Sequence, residues 1–79
     1  MTRKHFEKIA GVLKYRAKAI DNSSEATDEQ KQYALYHLRY TMYHLADEFE
    51  DINPSFDRSR FFKASLVPPI LEKYLRILN

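Results

Sequence analysis

His44, Asp47, Glu48 and Asp51 stand at i, i+3, i+4 and i+7, which puts an imidazole and carboxylates on one helix face, in reach of a divalent cation. Solvated helix faces often carry such a pattern, so no metal is expected from it. A second acidic pairing, Glu25-x-x-Asp28 with Glu48-x-x-Asp51, is superficially similar to the motifs of all-helical nucleotide pyrophosphatases, which hold magnesium between adjacent helices. Here Asp28 and Glu48 fall on one continuous predicted helix, about 30 Å apart at 1.5 Å per residue. Only a metal-dependent dimer would bring the two motifs together. His5, His37 and His44 lack a serine or cysteine elbow for nucleophilic catalysis, and the single glycine, Gly11, excludes a phosphate-cradling loop. The expectation is a non-catalytic protein without a cofactor.

Binding is the remaining class of function, and two surfaces compete for it. Tyr33, Tyr36, Tyr40 and Tyr43 fall within a narrow arc when each residue advances by about 100° along a helix. Tyrosine joins a large apolar body to a polar tip and is enriched at interfaces. These rings, with Asp47, Glu48 and Asp51, form the expected protein-facing surface. The alternatives are a core role, with this helix central and a neighbour on each face, or a twofold homodimer along the tyrosines.

The competing surface is basic. Residues 1–20 carry a net charge of +5, residues 21–51 a net −6, and the remainder +3, for a total of +2. Such an order lets helices neutralise one another within a bundle, whereas a nucleic-acid footprint needs the basic ends to meet on one face. For that reading the contact residues are Lys4, Lys8, Lys14, Lys18, Arg58 and Arg60, with Tyr15 on the same outer face as the lysines. The acids near residue 50 sit at a helix C-terminus, where negative charge opposes the macrodipole, and Arg58 and Arg60 are the nearest compensating groups in sequence.

The elements that position these residues are all helical. A stripe of Phe6, Ile9, Ala10, Leu13, Ala17 and Ile20 predicts a first helix over about 3–20, with Thr2 as N-cap and Met1 and Phe6 as a hydrophobic staple. Gly11 falls on its outer half, at a cost of about 1 kcal/mol relative to alanine. After the turn formers Asp21-Asn22-Ser23-Ser24, the capping box of Thr27 and Gln30 opens a second helix over about 28–52. Along it Leu35, Leu38, Met42, Leu45, Phe49 and Ile52 alternate at four- and three-residue steps. This seam is too short for a coiled coil, so it is read as bundle core.

Asn53-Pro54 ends that helix, because the residue before proline is pushed out of helical geometry. Asp57 caps a short third helix over about 58–66, with Phe56 and Phe61 in staple positions. Pro68-Pro69 precedes a fourth over about 69–78, with Ile70, Leu71, Tyr74, Leu75 and Leu78 as its apolar stripe. Residues 56–78 also admit a helix-turn-helix reading, although the second helix offers few base-reading side chains. At 79 residues the chain is read as a single all-α domain, a compact three- to four-helix bundle. Without cysteine it has no disulfide or thiolate site to reinforce a small core. No apolar run reaches the length of a membrane span, so no membrane partner is expected and a cytoplasmic location is.

Two stretches carry a resemblance. The opening Met1-Thr2-Arg3-Lys4-His5-Phe6-Glu7-Lys8-Ile9-Ala10 and the segment Asn53-Pro54-Ser55-Phe56-Asp57-Arg58-Ser59-Arg60-Phe61 are similar to a family of small phage and prophage proteins of unassigned function. That family has an Asn-Pro-x-Phe-Asp-Arg-x-Arg-Phe signature near its end. Its members tend to finish soon after with Ala-Cys-Gly, where this chain reads Ala64-Ser65-Leu66 and continues. The resemblance implies a phage gene acting in a bacterial cytoplasm, by binding and inhibiting a host protein such as a defence or nucleic-acid-processing complex. It carries over no catalytic residue.

Overall fold

The computed structural model describes residues 2–68, which form three helices without strands: α1 (Arg3–Asp21), α2 (Asp28–Ile52) and α3 (Arg58–Ser65). The predicted fourth helix over 69–78 and the staple residue Met1 lie outside the described residues. The described helices start where the caps predict. Thr27 accepts from the Gln30 backbone N–H at 3.1 Å while the Gln30 side chain accepts from the Thr27 N–H at 2.9 Å. Asp57 accepts from the Arg60 N–H at 3.1 Å. At α1 the reciprocal bond comes from an unexpected residue, His5, whose Nδ1 accepts from the Thr2 N–H at 3.0 Å.

The helices form a bundle around one apolar cluster. Phe6, Ala10, Leu13 and Ala17 of α1 meet Leu35, Met42, Ala46 and Phe49 of α2, and Phe61 and Val67 close it from the third side. The centre of gravity is aromatic. Phe49 lies 4.9 Å from Phe6 and 5.5 Å from both Phe56 and Phe61, measured between ring centroids. Phe56 and Phe61, the two staple residues, are themselves 5.5 Å apart. This contact fixes how the chain turns from α2 into α3.

One seam residue departs from expectation. Ile52, the last member of the four-three repeat, is 62% exposed, while Ala46, which the repeat omits, is fully buried. The cause is the mismatch between a repeat of 3.5 and a straight helix of 3.6 residues per turn, which rotates the seam by about 20° per heptad. By Ile52 the stripe has turned out of the core, and Ala46 has turned in on the opposite edge.

Helix α3 ends in an unusual conformation. Leu66 has φ 48° and ψ 36°, the left-handed region, and its N–H donates to the Phe62 carbonyl at 3.3 Å. A side chain with a Cβ pays about 1–2 kcal/mol there and glycine does not. The Leu66 side chain is 57% exposed, so little burial offsets that cost. Leu66→Gly is therefore expected to raise unfolding stability by about 0.5–1 kcal/mol, net of the greater freedom glycine gives the unfolded chain. A urea titration checks this, and an unchanged or lower midpoint would show that leucine packing outweighs the strain.

Candidate functional site

The tyrosines of α2 lie beside the core. Tyr33 and Tyr40 are 52% and 55% exposed, Tyr43 is 36% exposed and Tyr36 is half-buried. Helix α3 touches one edge of the row. The Tyr43 ring meets Phe62 edge-on at 5.3 Å, and its hydroxyl accepts from Arg39 Nε at 3.0 Å. Further towards the start of α2, Tyr36 contacts Tyr40 at 4.9 Å and His37 at 5.5 Å, and Tyr33 meets His37 at 4.8 Å. The Tyr36 phenol is held above its ordinary value, first by its hydroxyl contact with Tyr40 and then by partial burial. It therefore stays neutral, and a donor, throughout the physiological range. The exposed part of the face is thus a surface of tilted and edge-on aromatic and imidazole rings around Tyr33, His37 and Tyr40.

At the end of α2 the acids divide into two groups. Arg58 Nη1 donates to Asp47 Oδ1 at 2.6 Å and to Glu50 Oε2 at 2.9 Å, and its guanidinium lies 5.5 Å from the centroid of Phe62. These two bonds raise the Arg58 pKa further above its ordinary value. The arginine just past the turn thus answers the macrodipole problem, although it takes Glu50 and not Glu48 as its second partner. Glu48 and Asp51 form no ion pair with a described residue. Among the described residues no group of three or more histidines and acids is arranged to hold a metal ion, and His44, Asp47, Glu48 and Asp51 are no exception.

The basic residues are also sorted. Lys4, Lys8 and Lys18 are exposed, Lys14 is half-buried, and Arg60 is exposed on the α1 side of α3. Arg58 is committed to the acids of α2, so it and Arg60 serve different faces. Arg60 instead joins Arg3 and Glu7 on the rim of a groove of about 360 Å³ between α1 and α3, floored by Phe6, Phe56 and Phe61. Arg3 is occupied by Glu7, its Nε donating to Oε1 at 3.2 Å.

All of the groove lining except Ala64 comes from the two stretches that carry the resemblance. Nothing in hydropathy or charge periodicity brings residue 3 next to residue 60; the packing of α3 against the start of α1 does. No helix of the described residues is long and apolar enough to cross a membrane. No family model, curated protein or solved structure matches the chain.

Proposed function

We propose that this chain is a non-catalytic interaction protein that binds a bacterial host protein through the outer face of α2, in the cytoplasm, in the manner of a small phage inhibitor. The observation that carries this reading is the exposure of Tyr33 and Tyr40, each more than half open on a helix whose other face already supplies the core. A solvated helix face has no need of two tyrosine rings held open two turns apart, whereas interfaces concentrate such rings. Asp51 continues the same line along α2, and Glu48 flanks it, both without a described ion-pair partner. The partner surface this fits is an apolar pocket bordered by lysine or arginine.

The two stretches that carry the phage resemblance face each other across one groove. The chain departs from that family's pattern at Leu66, which takes the left-handed backbone conformation that favours glycine.

The test is capture from a bacterial host lysate by the wild-type chain and by Tyr33→Ala/Tyr40→Ala, with the bound proteins identified by mass spectrometry. The two substitutions remove exposed rings, so circular dichroism and thermal unfolding are expected to stay close to wild type. A specific partner is expected to be lost from the double variant. An identical set of proteins on both baits would overturn this use of the face. Magnesium-dependent hydrolysis of nucleoside triphosphates by the purified chain would overturn the non-catalytic reading.

A further inference from the structure

We infer that the outer face of α1 is a second binding surface, for single-stranded nucleic acid, with lysines neutralising phosphates and Tyr15 stacking on an unpaired base. At about 100° per residue, Lys4, Lys8, Gly11, Tyr15 and Lys18 lie within an arc of about 80°. That arc points away from the buried Phe6, Ala10, Leu13 and Ala17. Lys4, Lys8 and Lys18 are exposed and form no ion pair with a described residue. The face therefore keeps its positive charge, while the negative charge of α2 is partly neutralised elsewhere by Arg58.

Charge alone would fit any polyanion, and two further observations narrow the ligand. Tyr15 is 74% exposed, the most open of the large hydrophobic side chains among the described residues. An aromatic ring standing among lysines is the arrangement on which successive bases stack, and stacking needs bases free of a duplex. Gly11 lies in the middle of the same arc, and a Cβ placed on it would meet no neighbouring atom within 4 Å. The fold thus does not require glycine at that position, where it weakens the helix. A bare backbone patch between Tyr15 and the lysines lets a base or sugar approach the helix surface. From Lys4 to Lys18 the face runs about 21 Å along the helix. That length suits the lower end of the site sizes of about 4–16 nucleotides known for single-strand binding folds.

This inference is independent of the tyrosine face of α2. It is tested with the full chain and a fluorescein-labelled dT12 oligonucleotide, by anisotropy at several salt concentrations. Binding is expected at low salt, with log affinity falling linearly against log salt. Lys4→Ala/Lys8→Ala is expected to lower that slope by about 1.4, at about 0.7 per phosphate contact on a single strand. Tyr15→Ala is expected to weaken binding about tenfold with the slope unchanged, since it removes stacking and not charge. Gly11→Ala is expected to raise the melting temperature yet weaken binding, an opposition that no purely structural role of Gly11 produces. Absence of dT12 binding at low salt would overturn the inference, as would an unaltered affinity in Tyr15→Ala. Tighter binding to a duplex of the same length, or equal displacement of dT12 by a polyglutamate of matched charge, would assign the face to duplex or to an acidic protein and overturn it as well.

Discussion

Phe49→Ala is expected to abolish cooperative folding. Phe49 is 6% exposed and its ring contacts Phe6 of α1, Phe56 of the α2–α3 turn and Phe61 of α3. It is therefore the side chain through which all three described helices meet. Truncating a buried phenylalanine costs about 3–5 kcal/mol, from lost transfer free energy and the cavity left behind. A core of this size supplies about 3–5 kcal/mol in total, with no disulfide to add to it. The loss thus matches the whole expected stability. Far-ultraviolet circular dichroism across a urea titration is expected to show no folded baseline at room temperature. Phe62→Ala, which truncates a half-buried ring at the edge of the same cluster, is expected to leave a measurable transition. A Phe49→Ala midpoint near wild type would mean that the aromatic cluster contributes far less than its geometry implies.

The second large effect is expected at Arg39, whose Nη1 donates to the carbonyl of Val67 at 2.8 Å across 28 residues of sequence. That bond anchors the chain after α3 against the middle of α2, and Val67 is buried beneath it at 6% exposure. A partly buried hydrogen bond from a charged donor is worth about 1.5–3 kcal/mol, and its loss also strands the carbonyl. Arg39→Ala is therefore expected to cost about 2 kcal/mol and to speed amide exchange at Leu66 and Val67 ahead of the rest of the bundle. Arg39→Lys is expected to recover little, because one ammonium cannot reproduce the fork that reaches both Val67 and the Tyr43 hydroxyl at 3.0 Å. Unchanged exchange at these two amides in Arg39→Ala would remove Arg39 as the anchor.

Neither residue was singled out by periodicity for the role it plays. By periodicity Phe49 is one of six equivalent seam positions. Its rank comes from the turn at Asn53-Pro54, which folds Phe56 and Phe61 back onto it. For Arg39 the sequence offers only a cation within the acidic segment 21–51. The division of Arg58 from Arg60 was equally hidden, since two arginines two residues apart on a helix point in different directions and meet different neighbours. The tyrosine stripe is legible as a stripe, but that Tyr36 is half-buried while Tyr33 and Tyr40 stand open, and that Phe62 of α3 meets the Tyr43 ring, is set by packing.

What the amino-acid sequence determined by itself is local. The caps at Thr2, Thr27 and Asp57, the stops at Asn53-Pro54 and the apolar stripe of α1 all act within a turn or two of chain, where backbone geometry and short-range hydrogen bonds decide the outcome. The lysine face of α1 is legible for the same reason, because spacing along one helix sets which side chains share a side. Tertiary structure decided the rest. The short α3 lies against both longer helices, pairs Arg58 with Asp47 and Glu50, sets Arg60 and Arg3 on one groove, and meets the Tyr43 ring through Phe62. Those pairings join residues far apart in sequence, so they are set by how three faces pack around one aromatic centre and not by the pattern of any one helix.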